Sequence, residues 1–186
     1  MTHFEYIATA HTLILTFAAA RFLGGVAHAV DPRRIYWVHL SWLGLAIMFS
    51  LIAFWVFWSY RDVEWTLPRL IVALAPPALI YVFLALLVPN NASEVSSWRE
   101  HFFRIRVPLF ASGVLMVASI CLSNQVFLDI SPAHEGQVAL YALLAIFAIG
   151  AISAKPRLHT VLAFAPPLLI ARALLSTLAR SDLGLR

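Results

Sequence analysis

Two proline pairs, Pro76-Pro77 and Pro166-Pro167, carry the clearest chemical consequence in this chain, since each stands in an apolar stretch within the fragment Ala-Pro-Pro-x-Leu-Ile. Proline inside a helix lacks the N–H that would bond the carbonyl four residues back, and its ring crowds that carbonyl, at a cost of about 3 kcal/mol. A pair is therefore expected to kink or break its helix. The freed carbonyls fall near Val72 and Ala73, and near Leu162 and Ala163. Inside a bilayer such groups need protein, ordered water or a ligand as partner. Matched interruptions in two halves of a membrane chain point to a transporter's binding site; helices bent only for packing are the competing reading.

Ionisable residues within apolar segments are the next candidates, because a buried charge is costly and marks a solute path or a partner. Arg21 has no acidic residue at comparable depth, which leaves two readings: it meets an anionic solute, or it snorkels to phosphate at the membrane surface. Arg172 lies five residues beyond Pro167 and shares a face with Ser176; Tyr81 lies four beyond Pro77. Together Arg21, Pro76, Pro77, Tyr81, Pro166, Pro167 and Arg172 form the expected solute site. His11 and His28 are candidates for a proton relay, given the tunable imidazole. His28, His39, His101 and His159 are all expected near one membrane face, and His3, His11 and His134 near the other.

No catalytic serine elbow, phosphate-binding glycine loop or pair of carboxylates in a span occurs, so no catalytic residue is named. Histidine and acidic spacing gives no zinc or di-metal pattern, and the single cysteine, Cys121, has no partner for a disulfide. Neither a metal nor an organic cofactor is expected.

Positioning these residues is a matter of membrane helices. Hydrophobic residues make up 62% of the 186 and charged ones 12%, with a mean hydropathy of +0.86; a soluble domain averages about 25% charged. The formal charge of +4 is scattered over loop edges without aromatic clustering, which excludes a nucleic-acid surface and fits orientation by anionic lipid. Six apolar segments of roughly 17 to 24 residues, the length that crosses a bilayer core, run about Tyr6–Ala27, Ile35–Trp58, Leu67–Val88, Val107–Leu128, Gln137–Ala154 and Leu158–Leu178. With no basic residue before Arg21, the first segment reads as a retained helix rather than a cleaved signal. Of ten prolines, only the four in the pairs fall mid-segment.

Loops one, three and five hold Arg33, Arg34, Arg99, Arg104, Arg106, Lys155 and Arg157, against Arg61, Arg69, Arg180 and Arg186 on the other side. The positive-inside rule therefore places both termini outside an inner or plasma membrane. Val95, Trp98, Phe102 and Ile105 recur at helical spacing, which predicts a short interfacial amphipathic helix between spans three and four, able to run into the fourth. Residues 71–80 align with 161–170 at an offset of 90, both proline pairs in register. Three spans per half would make the halves, 1–90 and 91–186, inverted repeats.

The sequence thus predicts one all-α transmembrane domain: a six-helix bundle, built as two inverted three-helix halves if the repeat is genuine, that passes a small solute or ion through a midplane site at helices three and six. The alternative is a non-catalytic accessory or scaffold subunit of a larger membrane complex. Expected partners are the lipid bilayer, the solute, and either a second copy or a larger assembly.

Overall fold

The computed structural model describes residues 2–169 and 171–172. Ile170, Ser176, Arg180, Arg186 and the end of the sixth predicted segment at Leu178 lie outside the described residues. All regular elements described are helical: α1 (His3–Ala29), α2 (Trp37–Phe57), α3 (Leu67–Leu87), α4 (Trp98–Leu128), α5 (Glu135–Ile152) and α6 (Pro156–Leu162), with short 3-10 turns at Trp58–Tyr60 and Ala92–Glu94. Five of these helices, α1 to α5, are long and apolar enough to cross a membrane. This is a membrane protein by helix length and composition.

Local chemistry explains the helix starts. Thr2 and Glu5 form a capping box on α1, the Glu5 N–H donating to Thr2 Oγ1 at 3.2 Å and the Thr2 N–H to Glu5 Oε2 at 2.8 Å, so two of the helix's orphan donors are satisfied. Thr66 caps α3, with Pro68 in its first turn where a missing N–H is harmless. Ser97 caps α4 through the Glu100 N–H at 3.3 Å, and α4 ends where Asp129 takes a left-handed conformation at φ 48°, a stop that a short polar side chain tolerates.

The stretch expected to lie on the surface before the fourth span is the opening of α4 itself. From Trp98 the helix continues for 31 residues, and Trp98 and Phe102 are buried in the bundle. Their helical spacing is the one the sequence shows, but the apolar face meets the end of α1, α2 and the loop between them rather than lipid: Trp98 Nε1 donates to the His28 carbonyl at 2.8 Å, the Trp98 ring lies 4.8 Å from His39 of α2, and Phe102 packs edge-on against Tyr36.

α3 is central, packed on α1, α2 and α4; α4 also packs on α5, and α5 on α6. Glycines set three of the closest approaches. A Cβ on Gly25 of α1 would fall 1.9 Å from Val88 Cγ1, at the end of α3. A Cβ on Gly113 of α4 would meet the Phe147 ring at 2.6 Å, and one on Gly150 of α5 would meet the Phe110 ring at 2.4 Å. The α4–α5 contact is therefore reciprocal, each helix giving one Phe to the other's Gly three residues along, with the backbones brought close as small residues allow. Trp42 of α2 closes on both rings, at 5.1 Å from Phe110 and 5.2 Å from Phe147, and Phe83 of α3 on Phe147 at 5.7 Å. These four side chains are fully buried.

The two proline pairs end differently. α3 runs unbroken through Pro76 and Pro77, both buried. α6 stops at Leu162, a turn occupies 163–164, and helix resumes at 165–169, so Pro166 stands near the start of a new turn. In both places a serine from another helix holds a freed carbonyl. Ser123 of α4 donates to Val72 O at 3.1 Å, the carbonyl that Pro76 leaves unbonded. Ser41 of α2 donates to Ala163 O, the one that Pro167 leaves.

Candidate functional site

Arg33, Arg34 and Lys155 in loops, with Arg99 and Arg104 in the opening turns of α4 and Arg157 at the start of α6, flank one end of the bundle, the basic end; residues 58–66 and 129–134 form the opposite end. Toward that opposite end α2, α3, α4 and α5 enclose a cavity of about 370 Å³, with Leu169 on its wall. It runs from Ile130 and His134 at the rim to Met48, Pro76 and Leu143 deep in the bundle, and its walls are mainly aliphatic.

A few polar groups converge on these walls, the pattern of a small-molecule site. His11 is buried, its ring stacked on Phe57 at 4.1 Å. Asn124 Nδ2 donates to Gln137 Oε1 at 3.1 Å, and Gln137 Nε2 lies 3.4 Å from the Tyr141 hydroxyl. Ser123, already engaged by Val72 O, and Tyr60 add hydroxyls. At the rim His134 turns its Nδ1 to the Gly136 N–H at 3.1 Å, capping α5. The described lining contains no Asp, Glu, Lys or Arg, so the arrangement offers hydrogen bonds and apolar contact without a fixed charge. Beyond its deep end stand the interlocked rings of Trp42, Phe110 and Phe147.

The residues expected to form one solute site fall in three places. Pro76 and His11 line the cavity; Pro77 is buried beside it in α3. Arg21 and Tyr81 line a separate groove between α1 and α3, where Arg21 Nη1 donates to Asn90 Oδ1. Arg172 pairs with Glu135 at 2.7 Å, in a surface depression that also contains Ala165 and Leu168. Pro166 is buried and Pro167 exposed. His11 and His28 stand 17 residues apart on α1, about 25 Å by helical rise, at opposite ends of the bundle.

A second histidine group lies toward the basic end. His39 of α2 is fully buried, 4.8 Å from the Trp98 ring and 6.1 Å from the His101 ring, and neither of its ring nitrogens has a hydrogen-bond partner. His101 Nε2 lies 3.0 Å from Leu86 O, and His159 Nε2 2.8 Å from Ser153 O. His39-x-x-Trp42 in α2 and Trp98-x-x-His101 in α4 are His–Trp pairs at i, i+3 in opposite order, a spacing that puts both rings on one helix face and marks the cluster in the sequence. Among the described residues no three His, Cys, Asp or Glu side chains gather closely enough to hold a metal ion.

No family model, curated protein or solved structure matches this chain.

Proposed function

We propose that the chain is a membrane transporter for a small uncharged solute, with the cavity beside Pro76 as its entry site and the interlocked aromatic rings as its closed gate. The observation that carries this reading is the cavity's composition: aliphatic walls, hydroxyl and amide groups from Tyr60, Ser123, Asn124 and Gln137, and no fixed charge. A solute of that class brings no charge to desolvate, and the amide pair can exchange its mutual bond for one to the solute. If the termini lie outside an inner or plasma membrane, as loop charge predicts, the cavity opens outward. The inverted-repeat arrangement of 1–90 and 91–186 belongs to this proposal, since it would supply the alternate, inward-open packing.

Liposome swelling with a panel of uncharged solutes (urea, glycerol and small polyols) tests it. The reconstituted protein is expected to accelerate entry of at least one of them. Gln137→Leu, which removes the amide pair, should return that rate to the lipid baseline while insertion is unchanged. No acceleration for any member of the panel would overturn the reading.

One observation favours the second reading, an accessory or scaffold subunit: serine hydroxyls hold the carbonyls of Val72 and Ala163, so packing alone accounts for the proline bends at those atoms. In that case the cavity stays dry and the flux assay is flat.

A further inference from the structure

We propose that the groove between α1 and α3 is a binding site for one phospholipid, whose phosphate is held by Arg21 at the level of Asn90. The groove has a volume of about 310 Å³ and is lined by Phe17, Arg21, Gly24, Tyr81, Pro89 and Asn90, among others. It is independent of the cavity and of the transport reading.

Charge is the first argument. Arg34 has Asp31 at 3.1 Å and Arg172 has Glu135 at 2.7 Å, but no carboxylate among the described residues pairs with Arg21. Its one polar contact is the neutral side-chain oxygen of Asn90, 69 residues away, and its Nε is buried without an acceptor. A guanidinium inside a membrane helix with donors left over is expected to recruit an anion. A phosphodiester offers two acceptor oxygens to the planar fork.

Shape is the second. Arg21 stands two turns before the end of α1 and bonds Asn90 in the loop after α3, so its head snorkels to the basic end while its stem lies along the helix. Beside that head Gly24 leaves open space, since a Cβ there would meet nothing within 4 Å, and below it the groove continues along Ala20, Phe17 and Tyr81. Phe17 and Tyr81, 57% and 37% exposed, flank the groove. A charged head at the surface and an apolar slot beneath it match a lipid; a free phosphate ion would use only the head.

The test is lipid retention. The protein is extracted from vesicles containing equal amounts of phosphatidylethanolamine and phosphatidylglycerol, and bound lipid is counted by native mass spectrometry. The wild type should keep one phospholipid. Arg21→Gln should lower retention about tenfold, the effect of one charge-assisted contact. Asn90→Asp supplies the missing carboxylate and leaves every span untouched, so it decides the matter even if Arg21→Gln fails to insert; it too should shed the lipid. Gly24→Leu, which fills the groove beside the head, should do the same. Wild-type retention in Asn90→Asp and Gly24→Leu would overturn the proposal. So would full displacement of the lipid by inorganic phosphate, which would show that the head site alone binds.

Discussion

Midway along α4 and near the end of α5, Phe110 seats on Gly150 and Phe147 on Gly113; nearer the opposite end of the bundle the same two helices present Ser123, Asn124, Gln137 and Ala139 to a cavity. Both regions are helical. What differs is the fit of side chains at the facing positions: ring against hydrogen atom in one, aliphatic and amide side chains without a matching recess in the other. Close packing needs complementary sizes, and where none is supplied the space is left for something else. The core follows the same division, one large cluster of buried side chains around Trp42, Phe102 and Phe110 and a small one of Ile7, Phe57, Tyr60 and Ala73.

The largest effect is expected from breaking the tight region. Gly150→Leu drives a side chain into the Phe110 ring and should lower stability by about 3 kcal/mol, the upper range for overpacking. Gly44→Leu in α2 has open space around its Cβ and should leave the melting temperature in detergent nearly unchanged. Equal shifts for the two would mean the interlock is not tight.

Next comes the hydroxyl that serves the proline bend. Ser123→Ala should cost about 1–3 kcal/mol, the price of a buried acceptor without a donor. In a Pro76→Ala background, where residue 76 regains its N–H, the same change should cost about 1 kcal/mol less if Ser123 acts through Val72 O. Additive losses in the double-mutant cycle would separate serine from proline.

Smallest is a surface turn at the basic end. The Arg33 N–H and the Arg34 guanidinium both bond the Asp31 carboxylate, at 3.0 and 3.1 Å, and hold its pKa below the ordinary 3.8. A carboxyl whose folded pKa is depressed stabilises the fold above its unfolded value and ceases to as pH falls through the folded one. Asp31→Asn should therefore melt slightly lower than wild type near neutral pH, and the difference should shrink as pH falls below the ordinary 3.8 and vanish once the folded carboxyl is protonated as well. A difference that persists in acid would assign the turn to packing.

Much of the fold was legible because membrane helices are written in run length: five segments coincide with α1 to α5, and Leu67 starts α3 as proposed. The proline pairs show where legibility stops. The same Ala-Pro-Pro fragment is an uninterrupted buried helix in α3 and follows a break after α6. The decisive difference is tertiary: α3 is held among α1, α2 and α4, while α6 rests chiefly on α5. Flanking sequence carries no trace of that. Partners distant in the chain are equally silent, as with Arg21 and Asn90, or Ser41 and Ala163, 122 residues apart. The cavity escaped for a related reason, since space is made by what several helices lack at one depth. Of its lining, the sequence marks Pro76 for a solute site and His11 only for a proton relay; Asn124 and Gln137, near helix ends, carry no mark that sets them apart from other polar residues there.

The account depends most on water reaching the cavity and stopping at the rings. In a Cys121→Ala background, Ala139→Cys on the cavity wall and Val117→Cys, fully buried in the large core cluster, can be treated with a membrane-impermeant methanethiosulfonate from the side of the 129–134 loop. Rapid modification at 139 with none at 117 is the predicted result. A cysteine at 139 as inert as one at 117 would contradict an open vestibule and leave a bundle whose bends serve packing alone.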